Sequence, residues 1–575
     1  MTGTRHPVTG NYYLEGDKTG KIDGFRVDHH LDIGNSWDCS HPVMELILLS
    51  TDGAYNIPKF KTFGNMYLTN IQSRTAFRSF GLVQCSLIRE EAIEQYAYQI
   101  GKRADHVREM NFYTDATSET YDHTPYGQPL KDARINDVWN KLKTRADFEN
   151  RHKRVEKFNK ENKWKKRGIS IIPIKYGISY TYRPYNFGNA YVLVYGNDGS
   201  VLLHHGGIEM GQGLNTKMLQ IASEYLGIDL SFIRIAESGT DKIPNAPSTG
   251  ASTGSDLNGG AVINACIMLR DRLVDFLKKK LPLEDSIERI TFDGFYKETL
   301  WGRKNEAFVG AFKFIFDNIN KYNSADEAFL DKKWLTKWNK AWPYIIKYAL
   351  ISRVELSVAE IFKSEKFGAL DPKTGRLRTK EEVKGMDPTT GRMRTKEELW
   401  DPRMFYYFTY SAAISEVEID VLTGEYNILQ TDIMYDAGAS LNTNIDYGQI
   451  EGGFIQGVGY VTTENVLYDK NGKLTTQNTW RYKPPCSKTI PEKLNVFLLK
   501  YMKSGNPNLP ELDKYGVKSS KSTGEPPLVL ASTVFFAIKS AIMSARQDHG
   551  RPEWVHIDAP LTIKDIYEYA NCKDI

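Results

Sequence analysis

The sequence predicts an α+β protein, in which mixed β-sheets are packed against helices. Two pairs of short apolar strands are each separated by turn-forming residues: 190–195 and 201–205 flank Gly-Asn-Asp-Gly, and 414–421 and 426–435 flank Leu-Thr-Gly-Glu. Such pairs are typical of β-hairpins. A long apolar run at 528–545 instead places its large side chains at helical spacing, as expected for a helix with one apolar face. The chain therefore combines β-hairpins with helices.

The composition limits the kinds of protein that this chain can be. Its 575 residues are enough for about three or four domain-sized units, and 41% are hydrophobic, which is ample for buried cores. The net charge of +4 provides no strong basic field, so no nucleic-acid partner is expected. No apolar run reaches the roughly 18 residues that a membrane span needs, and the N-terminus has no apolar signal core. We therefore expect a cytoplasmic protein without a membrane anchor.

Cysteine spacing restricts the redox chemistry of the chain. The five cysteines (Cys39, Cys85, Cys266, Cys486 and Cys572) lie far apart, so a disulfide framework is not expected. An iron–sulfur cluster takes about four cysteines in a compact pattern, which this sequence lacks. It also has neither a G-x-G-x-x-G fingerprint nor a Walker phosphate loop. Any redox reaction would therefore need an electron relay from elsewhere.

The N-terminal part begins with a predicted strand. Apolar and polar residues alternate over 25–33, which indicates a half-buried strand. His29 and His30 fall within it, and because no second ligand stands at a useful spacing, we interpret both as strand residues rather than metal ligands. Helices are predicted at 43–50 and 83–100.

Two loops rich in small residues each lead into a predicted helix. The first, 206–213, follows the strand at 201–205, and the second, 247–255, precedes a helix over 256–269. Backbone N–H groups in such turns can cradle an anion, although many tight turns need glycines for backbone geometry alone. Taken together, the two loops could hold a large polyanionic ligand from two sides.

The segment at about 280–402 differs in composition from the rest of the chain. It is rich in lysine and tryptophan and has little periodicity, and we interpret it as an insertion. A twelve-residue stretch beginning at Asp371 recurs sixteen positions later at Asp387. Two copies are too few for a repeat architecture, so a duplicated surface turn is expected.

One carboxylate, Glu525, directly precedes a Pro-Pro pair and the apolar helix. Proline suits the first turn of a helix and disfavours helical geometry at the residue before it, so Glu525 is expected at the helix entrance. The helix N-terminus would there favour the ionised form, which a general base requires. The same pattern also fits a helix-entry glutamate without a chemical role.

A second candidate helix, 446–457, contains several glycines and two glutamines, Gln449 and Gln456, seven residues apart. Residues at this spacing share a helix face. Because glycine destabilises a helix by about 0.5–1 kcal/mol relative to alanine, several together indicate close packing or a ligand against the backbone.

Six separated segments together resemble one family, the molybdenum hydroxylases, which comprises xanthine dehydrogenases and aldehyde oxidases. They occur in the family's order across nearly the whole chain: TAFRSFG at 75–81, GGIEMGQGL at 206–214, DLNG at 256–259, EVEID at 416–420, QIEG at 449–452 and GEPPL at 524–528. The resemblance implies the family's two-part molybdenum-cofactor-binding region, truncated at its N-terminus. Residues 1–125 would be the C-terminal part of the first molybdopterin-binding domain, 126–545 the second domain with the insertion, and 546–575 a tail.

The resemblance also implies a role for each matching residue. Glu525 corresponds to the family's general base, and Arg78 to the arginine beside the metal's oxo group. The residues implied to hold the molybdopterin cofactor are Met210, Gly211, Gln212, Ala251, Ser252 and Gln449. Phe80 and Tyr180 fall where the family sandwiches a flat substrate between aromatic rings, with Tyr180 in place of the usual phenylalanine. No residue is implied as a direct protein ligand of the metal.

Two departures from the family pattern concern the pocket. Leu46 stands where xanthine-type enzymes carry an arginine that pairs with purine oxygens. An apolar residue cannot stabilise charge that develops on a purine, but it suits an aldehyde or an apolar heteroaromatic ring. The implied reaction is therefore hydroxylation of an aldehyde or N-heteroaromatic substrate with oxygen from water, with purine hydroxylation as the alternative. Gly254 also replaces a family serine, which could remove one hydrogen bond to the cofactor.

The third departure is the length of the chain. The family's 2Fe–2S domains, its FAD domain and the first part of its molybdenum region precede the point that matches residue 1. The 2Fe–2S and FAD groups are therefore expected only on a missing N-terminal region or on a partner chain that accepts the electrons, and a homodimer is expected. If Met1 is the true start, the alternative is a catalytically inactive partner or pseudoenzyme.

Overall fold

A computed structural model describes residues 3–117, 120–280, 311, 313–315, 317–363, 403–500 and 516–571. The predicted duplicated turn at 371–398 lies outside these residues. The chain divides into two compact units, which we call unit 1 (Met1–Tyr182 and Glu365–Ile575) and unit 2 (Arg183–Ser364). The division at residue 125 proposed from the sequence concerns family domains rather than compact units and stays a prediction.

Strands and helices are distributed over both units. The strands are β1 (Val8–Gly16), β2 (Ile22–Gly34), β3 (Lys59–Leu68), β4 (Lys165–Ile178), β5 (Phe187–Val194), β6 (Val201–His205), β7 (Ile233–Ile235), β8 (Ser357–Lys363), β9 (Tyr407–Asp420), β10 (Tyr426–Tyr435) and β11 (Leu494–Leu498). The helices with described bounds are α1 (Ser40–Ser50), α2 (Leu82–Gln99), α3 (Ala104–Met110), α4 (Ile135–Arg145), α5 (Phe148–Glu161), α6 (Leu214–Leu226), α7 (Gly254–Lys280), α8 (Ala325–Leu330), α9 (Lys332–Ile351), α10 (Thr443–Thr462), α11 (Pro526–Val529), α12 (Ser532–Asp548) and α13 (Ile563–Ala570). The predicted α+β class is confirmed.

The first sheet of unit 1 has the order β1-β2-β3. Strand β1 pairs antiparallel with β2, and β2 pairs parallel with β3. The alternation predicted for β2 is confirmed, because Phe25 and Val27 are buried whereas Arg26 is exposed. His29 is a buried strand residue, and its Nε2 lies 3.0 Å from the hydroxyl of Thr51.

The second sheet of unit 1 has the order β11-β10-β9-β4. Strands β9 and β10 form the predicted hairpin, with a register shift between Ile428 and Gln430. Strand β4 pairs antiparallel with β9 along its whole length, and it is buried from Gly168 onward. Helix α12 packs closely on β4, since a Cβ at Gly168 would lie 1.9 Å from the carbonyl oxygen of Ala537. Strand β4 is therefore tightly packed between β9 and α12.

The apolar run predicted as one helix forms two, α11 and α12, which are separated by a turn at 530–531. By length and composition the stretch Pro526–Asp548 could cross a membrane, contrary to the expectation from the sequence. However, 83% of its most apolar window is buried inside the protein. We therefore interpret this stretch as core helix.

Unit 2 is built on a four-stranded sheet with the order β7-β6-β5-β8. Strands β5 and β6 form the predicted hairpin, with Ala190 opposite His205. Helices α6 and α7 pack against each other and α7 packs on β5. The approach is close at Gly188, where a Cβ would lie 2.3 Å from the carbonyl oxygen of Leu257.

The described part of the lysine- and tryptophan-rich segment belongs to the core of unit 2. Trp334, Trp338 and Trp342 follow one another at four-residue intervals on α9, so they share one helix face, and all three are buried. Trp338 Nε1 donates to the carbonyl of Leu226 (3.0 Å), and Trp342 Nε1 donates to that of Gly199 (2.7 Å). Strand β8 completes the sheet by pairing with β5.

Candidate active site

Glu525 lies at the N-terminal end of α11 in unit 1. Its φ of −94° and ψ of −38° are in the right-handed helical region, so the prediction that proline would push it out of helical geometry is wrong. Helix α11 has only four residues, and it supplies little of the macrodipole that a long helix would provide. The carboxylate instead accepts a hydrogen bond from a side chain of β4.

The hydroxyl of Tyr176, on β4, donates to Glu525 Oε2 at 2.9 Å. Tyr176 is only 1% exposed, and burial raises its pKa well above the ordinary value, with the nearby charge of Glu525 acting in the same direction. The tyrosine is therefore a neutral hydrogen-bond donor. Sequence reasoning missed this residue, because a tyrosine in an apolar strand looks like an ordinary core residue.

Arg78 links three segments of unit 1. Its Nε donates to the carbonyl of Gly524, and its Nη1 donates to Gln456 Oε1 at 3.0 Å. Its Nη2 lies 3.2 Å from both the carbonyl oxygen and Oε1 of Gln449. The prediction that Gln449 and Gln456 share a helix face is thus confirmed. Burial lowers the pKa of Arg78 while the charge of Glu525 opposes that shift, and a guanidinium remains protonated in proteins.

The glycines of α10 permit this close packing. A Cβ at Gly453 would lie 2.9 Å from Arg78 Nη2, and one at Gly457 would lie 2.2 Å from the carbonyl oxygen of Leu528. Close packing, one of the two predicted reasons for these glycines, is therefore confirmed at both positions. Side chains at these positions would separate α10 from the segment that carries Glu525.

A buried ion cluster holds the segment that precedes Glu525. Lys521 Nζ lies 2.7 Å from Asp436 Oδ2 and 3.2 Å from Asp132 Oδ2, with all three residues largely buried. Burial lowers the pKa of this lysine, but the two carboxylates outweigh it and the net shift is upward. Removal of one partner from such a cluster is strongly destabilising, because it leaves an uncompensated buried charge. Sequence reasoning missed it, because charged residues are more often on the surface.

The residues assigned to the substrate all lie in unit 1. Leu46, on α1, is buried in the core cluster that also contains Trp139 and Phe405, and Phe80 packs against this cluster. Phe80 has a φ of 44° and Ser79 a φ of 76°, a conformation that is strained for residues other than glycine. Tyr180 lies two residues after the end of β4 and is partly buried.

The loop 206–213 of unit 2 is organised around Glu209. Its Oε1 accepts from the N–H groups of Gly211 (2.8 Å) and Gly213 (2.9 Å), and its Oε2 accepts from that of Asn215 (2.9 Å). Desolvation raises the pKa of Glu209, but these three donors outweigh it and the net shift is downward. The expectation that these N–H groups form an anion cradle is therefore wrong, since a carboxylate of the same loop already occupies them.

The surface of this loop is nevertheless open to a ligand. Among the described residues, no atom would lie within 4 Å of a Cβ at Gly211, whose φ is 97°. Met210 is 68% exposed. The Gln212 amide bridges the loop, because its Oε1 accepts from Met210 N (2.5 Å) and its Nε2 donates to the carbonyl of Ile208 (2.7 Å). The loop therefore presents Met210 and the uncrowded Gly211 on its surface, beside the exposed carboxylate of Glu209.

The second small-residue loop contacts the first within unit 2. Ile208 N donates to the hydroxyl of Thr249 at 2.9 Å. Ala251 and Ser252 have φ values of 51° and 57°, in the left-handed region that bulky side chains disfavour. Gly254 begins α7, and a Cβ there would make ordinary contact with Leu214 at 3.5 Å.

The structure therefore brings the predicted residues into two groups. In unit 1, Glu525, Arg78 and Gln449 are connected through Gly524 and α10, and Leu46 and Phe80 belong to one apolar cluster. In unit 2, Met210, Gly211 and Gln212 lie in one loop and Ala251 and Ser252 in the loop bound to it.

Comparison with known proteins identifies the family. The profile of a molybdopterin cofactor-binding domain matches residues 141–491, and a second profile of the same description matches residues 1–112. The chain is 36% identical over 566 residues to the xanthine dehydrogenase/oxidase of Gallus gallus and 37% identical over 570 residues to that of Mus musculus. These alignments cover 98% of this chain and 34% and 35% of the respective relatives.

Among solved structures, quinoline 2-oxidoreductase from Pseudomonas putida 86 shares the fold, with a TM-score of 0.71 at 18% identity over 99% of this chain and 63% of that one. The chain belongs to the molybdopterin cofactor-binding family. It corresponds to the C-terminal, molybdenum-binding portion of the molybdenum hydroxylases. It spans about a third of the length of the curated relatives that it matches.

Proposed function

We propose that this chain is the catalytic portion of a molybdenum hydroxylase that acts on an aldehyde or an N-heteroaromatic substrate. In this reaction a C–H bond is replaced by C–OH with oxygen from water, so that the substrate is oxidised by two electrons and the substrate and water together release two protons. The observation that carries the proposal is the Glu525 carboxylate, oriented by Tyr176 and anchored at its backbone by Arg78 through Gly524. A fixed carboxylate of this kind is suited to general-base catalysis.

The proposal includes a bound molybdopterin cofactor, which is supported by the matches to molybdopterin cofactor-binding domains. In unit 2 the exposed face of Gly211 leaves room for a flat heterocycle, and Met210 beside it is 68% exposed. In unit 1 the assigned contact is Gln449, whose side chain is oriented by Arg78. The bound cofactor would accept the two electrons of the reaction.

Leu46 supports the substrate assignment. It is 6% exposed and packed among apolar side chains, so it offers no hydrogen bond to a purine oxygen. Phe80 and Tyr180 would contact a flat or apolar substrate. Purine hydroxylation is the second candidate, and the names of the curated relatives favour it.

The substrate proposal is tested by Leu46→Arg. Introducing a guanidinium should raise purine turnover relative to aldehyde turnover by tenfold or more, since one charged hydrogen bond contributes about 1.5–3 kcal/mol. Leu49→Arg is a matched control, because Leu49 lies on the same helix and is also 6% exposed. If wild-type protein oxidised purines faster than aldehydes and N-heterocycles, the assignment would be wrong.

Electrons must leave the site through further groups. We propose that a 2Fe–2S cluster and FAD accept them, on an N-terminal region or a partner chain, and that the working enzyme is a cytoplasmic homodimer. The first experiment is measurement of molybdenum and pterin in protein purified from its native source. Near-stoichiometric molybdenum supports the proposal, whereas its absence in intact protein favours the pseudoenzyme alternative.

A further inference from the structure

We propose that Tyr176 is a positioning residue for the general base: its hydroxyl orients Glu525 and stabilises the ionised carboxylate. This inference rests on the proposed function, in which Glu525 accepts the proton. The hydroxyl lies 2.9 Å from Glu525 Oε2, and the two residues are 349 positions apart in the sequence. The contact therefore exists only in the folded protein.

The strand that carries Tyr176 is paired along its whole length and is buried around this residue. Tyr176 lies opposite Thr409 in the ladder between β4 and β9, which is continuous from Lys165 to Ile178. The preceding residue, Lys175, is buried and paired with Asp52 at 2.5 Å, so both positions have a fixed partner. A donor on such a strand is well suited to hold a catalytic group in one orientation.

The hydroxyl itself is the informative feature. Tyr176 is 1% exposed, and its neighbours Ile174 and Ile178 are equally buried apolar residues. A phenylalanine would supply the same ring, so what the tyrosine adds is a donor, and this donor reaches Glu525 Oε2. Because burial raises the pKa of Tyr176 well above its ordinary value, the tyrosine remains a donor throughout the working pH range.

The consequence for catalysis concerns pH. A hydrogen bond donated to a carboxylate favours the ionised form over the protonated form. Tyr176 thus keeps the carboxylate of Glu525 ionised, and therefore active as a base, at lower pH. Arg78 acts on the backbone of Gly524, so the orientation of Glu525 is fixed both at its backbone and at its carboxylate.

The test is the pH profile of kcat/KM for the complete cofactor-loaded enzyme with Tyr176→Phe. The acidic limb should move to higher pH by about one unit, so that kcat/KM on that limb falls about tenfold. Tyr410→Phe is the matched control: Tyr410 is also fully buried in the same sheet, and its hydroxyl has no hydrogen-bond partner among the described residues. That variant should keep the wild-type limb.

One further variant, Glu525→Gln, separates the inference from the function on which it rests. If Glu525→Gln keeps wild-type turnover, the proposed function fails. If Glu525→Gln is inactive but Tyr176→Phe has the wild-type profile, only the role of Tyr176 is overturned.

A second readout needs no cofactor. Introduced into the wild-type sequence, Tyr176→Phe should lower the urea concentration at the unfolding midpoint. Introduced into the Glu525→Gln variant, the same substitution should lower it by less. Equal shifts in both backgrounds would show that the hydroxyl and the carboxylate are not coupled.

Discussion

The two units hold their predicted site residues by different means. In unit 1, Arg78 bonds to groups 378 and 446 positions away, and Tyr176 and Glu525 are 349 positions apart. In unit 2, Glu209 bonds to backbone groups two, four and six positions away. The geometry around the base therefore depends on the whole fold of unit 1, whereas the loop of unit 2 is organised locally.

This difference has a physical consequence. Long-range contacts form only after the loop entropy between their segments has been lost, so a packing defect anywhere along α10 or α11 disturbs Glu525. A locally organised loop depends on a few hydrogen bonds between near neighbours, and forming them costs little loop-closure entropy. Damage in unit 1 should therefore spread, and damage in the loop of unit 2 should stay confined.

The largest effect is expected for Gly457→Ala in unit 1. The new Cβ would lie 2.2 Å from the carbonyl oxygen of Leu528 and 2.6 Å from the Cβ of Ala531. Because backbone cannot yield as a flexible side chain does, the free energy of unfolding should fall by about 1–3 kcal/mol. Urea denaturation measures this change, and activity should fall with it as the segment carrying Glu525 moves.

Gly452→Ala is the control on the same helix. Within the described part of the chain, no atom lies within 4 Å of a Cβ at this position, so alanine should stabilise α10 by about 0.5–1 kcal/mol. A Gly457→Ala protein as stable as Gly452→Ala would show that α10 and α11 are not tightly packed in solution.

A smaller effect is expected for Glu209→Gln in unit 2. The carboxylate is exposed, so losing its charged hydrogen bonds should cost on the order of 1 kcal/mol or less. Since folding lowers the pKa of Glu209, the difference from wild type should be complete at neutral pH. It should disappear as pH falls below about 4.3, the ordinary value for glutamate, and through the lower folded pKa.

Thermal unfolding at several pH values checks this prediction. The control is Glu237→Gln, a change at another exposed carboxylate of the same unit that leaves the three hydrogen bonds of Glu209 in place. Hydrogen exchange should quicken at Gly211, Gly213 and Asn215 and remain unchanged in α9. If exchange quickened throughout unit 2, the loop would be coupled to the core rather than organised locally.

What the sequence could predict follows the same division. Both hairpins and the shared face of Gln449 and Gln456 follow from local periodicity and turn residues, and the structure confirms them. Two local inferences failed for local reasons: Glu525 is helical despite the following proline, and the loop N–H groups bind Glu209.

The residues that sequence reasoning missed are those whose partners lie far along the chain. Tyr176 is indistinguishable from a core aromatic until β4 is placed beside Glu525. Lys521 likewise looks like a surface charge until Asp132 and Asp436 surround it. No spacing or local pattern encodes these pairs, so only the fold reveals them.

The smallest effect is expected for Gly254→Ser, which restores the residue that the family resemblance places at the start of α7. The Cβ would contact Leu214 at 3.5 Å without a clash, and Gly254 does not have a positive φ. Serine should therefore stabilise unit 2 by a few tenths of a kcal/mol, roughly its advantage over glycine in a helix.

Gly211→Ser provides the comparison in the other loop. There too the space is open, but the φ of 97° should cost about 1–2 kcal/mol for a residue with a side chain. Thermal midpoints rank the two variants, and pterin content shows whether the added hydroxyl improves cofactor retention. If Gly254→Ser were the less stable of the two, the positive φ of Gly211 would not explain why that loop has a glycine there.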